Sequence, residues 1–258
     1  MNISFIGMGN MAQALVKGFL KSGKIKKEEI FAYAPNQQKL EKNSKDIGFI
    51  PCAAAEEAVN AADLVIAACK PYQMEKVFTP LRNSMKGKIL VSVASGWTFE
   101  RLKALMGEEV KIQYILPNTP TAICSGVTIV ESANSIPDEE RKIVMDLLSG
   151  TGQVVEMTAE IMAAASSVTG CGPAFAAMII EGLADGAVKN GVPREKAYQL
   201  VCGMLMGSAK LQLETGQHPG QMKDSVCSPG GTTIKGVAAL EEAGLRSALI
   251  KAVDASIN

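Results

Sequence analysis

Histidine is almost absent from this sequence of 258 residues, in which His218 is the only one. It stands beside Pro219 in a predicted turn between helices, with no neighbouring nucleophile. Ser-His-Asp hydrolases, and hydroxyacid dehydrogenases that use histidine as the acid–base group, both need this residue in the site. The sequence therefore argues against both classes, and we predict a structural role for His218.

Paired cysteines are also lacking, since the six cysteines form no Cys-x-x-Cys motif. Disulfide frameworks belong to small secreted chains and zinc sites need clustered ligands, so we expect reduced thiols, no metal and a cytoplasmic protein. A strand-like pattern begins at residue 3, and we predict no signal peptide. We interpret Cys227 as a small apolar filler. The cysteines are Cys52, Cys69, Cys124, Cys171, Cys202 and Cys227.

An excess of charge of one sign is missing, because 26 basic residues balance 26 acidic ones. Proteins that bind nucleic acid usually carry a basic excess or stripe, so we expect no nucleic-acid partner. Residues 161–180 carry no charge and are long enough to span a bilayer. They are rich in Ala, Ser, Thr and Gly, and we favour a helix buried inside the protein over a membrane span.

Apolar strands alternate with helices through the first part of the sequence. Continuous apolar strands between helices are typical of a mainly parallel sheet covered on both faces. We therefore predict an α/β fold with an N-terminal Rossmann dinucleotide-binding domain over residues 1–157. The predicted strands are 2–6, 30–34, 63–69, 88–94, 111–116, 127–131 and 153–157, with a short segment at 47–50, and the predicted helices are 11–22, 37–45, 56–61, 98–105 and 138–149.

Only helices are predicted after residue 157, at 159–190, 194–215, 220–223, 232–242 and 245–256. Residues 158–258 therefore form a predicted all-α domain. Much of it is apolar on more than one side, for example at Ala163–Ala164–Ala165 and at residues 176–179. We expect two chains to bury this surface as a homodimer; packing against the first domain is the alternative.

A glycine-rich loop, Gly7-Met8-Gly9-Asn10-Met11-Ala12, follows the first predicted strand and opens a helix. This is the context of a dinucleotide site: the first glycine makes the turn, the second lets the pyrophosphate approach, and the third small residue packs the helix on the strand. The alternative is a plain glycine turn.

The end of the second predicted strand lacks the Asp or Glu that usually holds the ribose of NAD. Asn36 and Lys39 lie there instead, within reach of a 2′-phosphate. We therefore expect NADPH as cofactor, with NADH possible. Ala68-Cys69-Lys70-Pro71 ends another strand, where Lys70 contacts the cofactor or an anion, or is an ordinary turn lysine.

A second anion site is predicted in the uncharged loop Val226-Cys227-Ser228-Pro229-Gly230-Gly231-Thr232-Thr233, which opens a further helix. Backbone N–H groups at a helix N-terminus suit a carboxylate. Two anion sites in one chain indicate a cofactor site and a substrate site. Helix capping by Ser228 and Thr233 is the alternative role.

These motifs, together with Pro117-Asn118-Thr119-Pro120 and Thr169-Gly170-Cys171-Gly172-Pro173-Ala174-Phe175, resemble pyrroline-5-carboxylate reductase in order and spacing along the whole chain. The Ser-Pro-Gly-Gly-x-Thr loop is the most specific part. The resemblance implies a Rossmann domain, a helical domain that interlocks two subunits, and reduction of Δ1-pyrroline-5-carboxylate to L-proline with NAD(P)H, the last step of proline synthesis.

The resemblance also implies roles for individual residues. Residues 7–12, the end of the second strand with Asn36 and Lys39, the turn 68–71 and Asn118 would bind the cofactor. The amides of Gly230, Gly231 and Thr232 would hold the substrate carboxylate, with Ser228 adding a hydroxyl donor. Thr233 would contact the ring nitrogen and relay a proton from water, which makes it the predicted catalytic residue.

Two positions depart from the family pattern: Ala55 replaces a common Asn and Tyr114 replaces a common Arg. Two alternatives therefore remain open. One is an oxidoreductase like the β-hydroxyacid dehydrogenases, although Ala176 follows the glycine pair where those enzymes have a catalytic Lys. The other is a regulatory paralogue that binds nucleotide without turnover.

Overall fold

The computed structural model describes residues 1–257, and its packing divides the chain into two units. The first unit is Met1–Gly170 and the second begins at Cys171. The predicted domain boundary after residue 157 follows the end of the strands instead, and it stays a prediction.

An eight-stranded sheet runs through the first unit in the order β3-β2-β1-β4-β5-β6-β7-β8. Every neighbouring pair is parallel except β6 and β7, which are antiparallel. The mainly parallel sheet is therefore confirmed. The strands are β1 (Ile3–Ile6), β2 (Ile30–Tyr33), β3 (Ile50–Pro51), β4 (Leu64–Ala67), β5 (Ile89–Ser92), β6 (Lys111–Pro117), β7 (Gly126–Asn134) and β8 (Gly152–Met157).

Two hydrophobic clusters cover the two faces of this sheet. Successive side chains of a strand point to opposite faces, and in β4 Leu64 and Ile66 join one cluster while Val65 and Ala67 join the other. The covering helices are α1 (Asn10–Ser22), α2 (Gln37–Ile47), α3 (Ala55–Asn60), α4 (Met74–Phe78), α5 (Phe99–Met106), α6 (Asp138–Ser149) and α7 (Ala159–Ser166). The sequence patterns missed α4, which is too short to show a helical period.

The predicted helix over residues 159–190 is confirmed as one helical stretch, Ala159–Lys189, but a π-helical turn, Ser167–Cys171, interrupts its α-helical hydrogen bonding between α7 and α8. Pro173 in the first turn of α8 has no N–H to continue the helical ladder. The hydroxyl groups of Ser167 and Thr169 donate to the carbonyl oxygens of Ala164 and Ala165, at 2.8 and 3.2 Å. Both hydroxyl groups thus bond to carbonyl oxygens of the preceding helical turn.

Helices also build the second unit, namely α8 (Gly172–Lys189), α9 (Arg194–Thr215), α10 (Pro219–Ser225), α11 (Thr232–Glu242) and α12 (Leu245–Asp254). α8 packs on α9 through a small core of Ala184, Ala197 and Val201. Large apolar side chains elsewhere stay exposed, including Met178 and Met206, each 71% exposed. The single chain leaves this apolar surface uncovered.

One helical stretch, Ala159–Lys189, is long and apolar enough by length and composition to cross a membrane, with a mean hydropathy of 1.5. Only 6% of its apolar window is buried in the single chain. The chain by itself therefore does not provide the burial predicted for residues 161–180.

Candidate active site

A cleft of about 780 Å³ opens in the first unit, at the carboxyl ends of β1, β2, β4 and β5. Ligands of open parallel sheets bind at this edge, and the volume suits a small-molecule cofactor. Most of the residues predicted to bind the cofactor line it: Gly7, Met8, Gly9, Asn10, Met11, Asn36, Lys39, Ala68, Cys69, Lys70 and Pro71.

The glycine loop fits close against the neighbouring strand. Gly7 has a φ of +106°, its N–H donates to Tyr33 O at 2.8 Å, and a Cβ there would lie 2.6 Å from the carbonyl carbon of Ala68. Gly9 instead faces open space, with no atom within 4 Å of an added Cβ. α1 begins directly after Gly9 without a side-chain cap or an acidic residue in its first turn. Its N-terminal amides are therefore available to an anion.

The charge of the cleft favours a polyanion. Among the described residues 1–257, those lining it include Lys39 and Lys70 but no carboxylate. Both lysine side chains are exposed, and neither forms an ion pair with any of the described residues 1–257. The Asn36 side chain caps α2, where its Oδ1 accepts from the Lys39 backbone N–H at 2.9 Å. The residues present thus fit a phosphate-bearing dinucleotide.

Two hydrogen bonds hold the turn after β4, one within the turn and one from Trp97. The Lys70 N–H donates to Gln73 Oε1 at 3.3 Å, and the indole N–H of Trp97 donates to Pro71 O at 2.9 Å. Burial raises the pKa of the Cys69 thiol to about 11, and its Sγ lies 3.4 Å from Met74 Sδ. Cys69 is therefore a protonated wall of the cleft and not a nucleophile.

Two residues predicted to bind the cofactor lie outside the cleft. Ala12 is buried in the sheet-facing side of α1, as expected for the small residue that packs helix on strand. Asn118 uses both ends of its amide within the unit: Nδ2 donates to Thr169 O at 3.1 Å and Oδ1 accepts from the Val127 N–H at 2.8 Å. The structure therefore places Asn118 as a brace between segments, while its neighbour Thr119 lines the cleft.

Sequence reasoning missed several lining residues. The rule that ligands meet the carboxyl ends of strands would have found the residues that follow β5. Asn43 and Val77 gave no signal, because their side chains reach the cleft only once α2 and α4 pack on the sheet. The missed residues are Ile6, Tyr33, Ala34, Pro35, Leu40, Asn43, Gln73, Val77, Val93, Ala94, Ser95 and Thr119.

The predicted substrate loop lies in the second unit, and it ends in an uncapped helix start. Gly230 has a φ of +69°, and the Gly231 N–H donates to Ser228 O at 3.0 Å, which closes a tight turn. α11 then begins at Thr232 with Gly231 at its N-cap and no side-chain cap. The loop thus leaves the amides of Gly230 and Thr232 available to a small anion, with Thr233 exposed beside them, whereas the Gly231 amide predicted to share this role is used within the turn.

His218 has the structural role expected of it. It is the N-cap of α10, and its Nδ1 accepts from the Gly220 N–H at 3.1 Å. Of the two departures, Ala55 is the first residue of α3 and packs beside the second hydrophobic cluster. Tyr114 is buried in β6, and its hydroxyl oxygen accepts from the Gly96 N–H at 3.1 Å.

A Rossmann-type sheet, a glycine loop at a helix start, and a cleft lined by no carboxylate among residues 1–257 define a dinucleotide-dependent oxidoreductase. Comparison with known families agrees: residues 2–96 match the model for NADP oxidoreductase, coenzyme F420-dependent, and residues 159–258 match the model for pyrroline-5-carboxylate reductase dimerisation. The predicted fold class is therefore confirmed, and the helical part is a dimerisation domain by its family.

Full-length relatives identify the family. The chain is 38% identical over 262 residues to pyrroline-5-carboxylate reductase of Treponema pallidum, covering 100% of this chain and 99% of that protein. It is 38% identical over 252 residues to the Escherichia coli K12 reductase, covering 97% and 94%. A crystal structure of Plasmodium falciparum pyrroline carboxylate reductase with NADP bound superposes with a TM-score of 0.91 at 31% identity, over 100% of this chain and 95% of that one. The chain belongs to the pyrroline-5-carboxylate reductase family.

Proposed function

We propose that this protein reduces Δ1-pyrroline-5-carboxylate to L-proline with a reduced nicotinamide dinucleotide, the last step of proline synthesis, as a cytoplasmic homodimer. The observation that carries the proposal is the presence of two glycine-rich loops, Gly7–Gly9 and Gly230–Gly231, each of which leads directly into a helix. One opens α1 on the cleft at Gly9, and the other opens α11 at Gly231. A reductase of this kind needs one anion site for its cofactor and one for its substrate.

The cofactor side of the proposal depends on residues of the first unit. The amides after Gly9 would bind the pyrophosphate, while Gly7 keeps the loop close to the turn 68–71. When bound, the reduced nicotinamide supplies a hydride to the imine carbon of the substrate. The protein then has to bind and orient the reactants, and holding them in register provides most of the rate gain.

The substrate side depends on the loop before α11. The amides of Gly230 and Thr232, with the Ser228 hydroxyl, would hold the carboxylate, since no side-chain cap competes with it. The Gly231 N–H would join them only by leaving Ser228 O. The Thr233 hydroxyl would hydrogen-bond the ring nitrogen and pass on a proton from water. Reduction adds a hydride to carbon and leaves that proton on nitrogen, so a protonated imine needs no stronger acid.

The finer preference for NADPH is part of the proposal. The end of β2 presents Asn36 and Lys39 and no acidic side chain, so nothing there repels a 2′-phosphate. The cap that Asn36 makes on α2 leaves Lys39 as the residue free to pair with the extra phosphate. NADH would bind the same cleft without this contact.

One assay tests the proposed function. The purified protein is mixed with NADPH and pyrroline-5-carboxylate, and the loss of reduced-nicotinamide absorbance is followed with formation of proline. Proline-forming oxidation supports the proposal. Activity with hydroxyacids alone would favour the β-hydroxyacid dehydrogenase alternative, and cofactor binding without turnover would favour the regulatory alternative.

A further inference from the structure

The segment that follows β5, residues 93–98, forms one wall of the cleft and is here named the β5 loop. Val93, Ala94 and Ser95 line the cleft, while Gly96 turns the chain with a φ of +75°. Trp97, the only tryptophan of the sequence, is buried beneath this turn. The loop is part of the cofactor cleft, so the contacts that hold its shape affect cofactor binding.

Three hydrogen bonds join residues 96–99 to more distant parts of the first unit. The Gly96 N–H donates to the Tyr114 hydroxyl oxygen at 3.1 Å. The N–H of Phe99, the first residue of α5, donates to Glu131 Oε2 at 2.7 Å. The Trp97 indole N–H donates to Pro71 O at 2.9 Å, which joins the loop to the turn after β4.

A break in strand pairing creates this arrangement. Gln113 pairs with Asn134 while Ile115 pairs with Val130, so β7 has extra residues opposite Tyr114. Such bulges bend a strand and redirect its side chains. The bulge holds Glu131, whose main-chain O accepts from Gln113 Nε2 at 2.7 Å. One irregularity thus brings the Tyr114 hydroxyl and the Glu131 carboxylate beneath the same loop.

The Tyr114 hydroxyl and the Glu131 carboxylate are both buried, and burying a polar or charged group costs free energy unless hydrogen bonds compensate it. Tyr114 is 2% exposed and Glu131 is 1% exposed. The charged neighbours that act on Glu131 are the carboxylates Glu100 and Glu160, which repel its charge. A buried carboxylate without a cation is unfavourable unless hydrogen bonds hold it, and here the Phe99 amide at the start of α5 does so. Core packing alone would be satisfied by apolar residues at these two positions.

We propose that Tyr114 and Glu131 are positioning residues that hold the β5 loop in its cofactor-binding shape and so set the affinity for the dinucleotide without touching it. This proposal rests on the proposed function, because it assumes that the cleft binds a nicotinamide cofactor. Loss of the Tyr114 hydroxyl leaves the Gly96 N–H of the loop without its partner, and loss of the Glu131 carboxylate does the same to the N–H of Phe99, which directly follows the loop. The loop then populates conformations that do not bind the dinucleotide, which lowers the apparent affinity for it.

The proposal is tested with two pairs of variants. Tyr114→Phe removes only the hydroxyl acceptor, and Tyr72→Phe is its control, because Tyr72 is 83% exposed and lies outside the cleft. Glu131→Ala removes the acceptor for Phe99, whereas Glu131→Gln keeps one. Glu100→Gln is the control for charge, since Glu100 is exposed on α5.

The measurements are kcat, KM for NADPH, and the fluorescence of Trp97, whose single emission reports the loop itself. We expect Tyr114→Phe and Glu131→Ala to raise KM for NADPH roughly tenfold, the equivalent of about 1.4 kcal/mol or one lost hydrogen bond, with kcat at saturating cofactor little changed. Trp97 emission should shift in both variants. Glu131→Gln and the two controls should stay within about twofold of the parent.

Several outcomes overturn the proposal. Unchanged KM and unchanged Trp97 emission in Tyr114→Phe would contradict it, and so would a fall in kcat at constant KM, which reports only a smaller folded fraction. If Tyr114→Phe fails to fold, the Glu131→Ala and Glu131→Gln pair decides, since equal KM values for these two refute the positioning role. If Glu131→Ala fails to fold, Tyr114→Phe decides against its Tyr72→Phe control, since equal KM values refute it there. Failure of the proposed function itself is distinct, because the parent protein would then oxidise no NADPH with pyrroline-5-carboxylate.

Discussion

The glycine loop provides the sharpest prediction, because its two glycines should fail in different ways when replaced by alanine. At Gly7 the backbone has a φ of +106°, and an added Cβ would lie 2.6 Å from both C and O of Ala68 and 2.7 Å from Cys69 N. All three are backbone atoms, which cannot relieve the contact by a change of rotamer as a side chain could. A non-glycine residue at such a φ costs about 1–3 kcal/mol, and the clash adds about 1–3 kcal/mol.

Gly9→Ala is the matched variant. Gly9 has an ordinary φ of −77°, and nothing lies within 4 Å of an added Cβ. The fold should tolerate this methyl group, at an N-cap cost of about 1 kcal/mol or less. The same methyl group projects into the open space that the pyrophosphate needs, so cofactor binding should be lost although the protein is folded.

The assay is thermal unfolding with and without NADPH. Gly7→Ala should lower the Tm by about 10 °C without cofactor, as expected for a loss of about 3 kcal/mol in a unit of this size. Gly9→Ala should unfold within a few degrees of the parent, yet show no stabilisation by NADPH. A Gly7→Ala protein as stable as the parent, or a Gly9→Ala protein that NADPH still stabilises fully, would refute this reasoning.

Three further predictions concern the substrate loop, the cofactor preference and the buried carboxylate. Thr233→Ala should lower turnover while leaving NADPH affinity nearly intact; equal losses of both, in steady-state kinetics and a binding titration, would mean that Thr233 only supports the fold. Lys39→Glu should raise KM for NADPH far more than KM for NADH, and a parallel rise in both would exclude a contact with the 2′-phosphate. Burial raises the pKa of the Glu131 carboxyl above its usual range, so the folded protein holds this proton to higher pH than the unfolded chain does. Its contribution to stability is therefore largest at low pH and falls as pH rises from the ordinary carboxyl pKa through the raised value. Glu131→Gln should gain stability relative to the parent over that interval in denaturant unfolding, and a constant difference across it would contradict the raised pKa.

Local patterns predicted the parts of the fold that local forces determine. Leu64–Ala67 is a continuous apolar run that became a strand buried on both faces, and the loop at residues 7–12 joined β1 to α1 as expected. The π-helical turn at Ser167–Cys171 was missed, because the apolar pattern of residues 161–180 continues through it. Pro173 was the available signal, since proline breaks the helical ladder behind it.

Long-range pairing determined what the sequence did not predict. Asn118 was expected at the cofactor, but its amide spans from Val127 to Thr169, a contact that exists only after β6, β7 and the chain after α7 have packed. The acceptors beneath the β5 loop depend on the register break in β6 and β7, which leaves no trace in the hydrophobic period. In the sequence, Tyr114 stood out only as the replacement of a common Arg. In the structure, its hydroxyl oxygen accepts a hydrogen bond from Gly96 in the wall of the cleft.

The most direct test of the central claim is a crystal structure of the protein with L-proline and NADP⁺. We expect the proline carboxylate oxygens to lie within hydrogen-bonding distance of the amides of Gly230 and Thr232, with the ring nitrogen facing the Thr233 hydroxyl. Proline bound at another place, with the loop before α11 empty, would contradict the account.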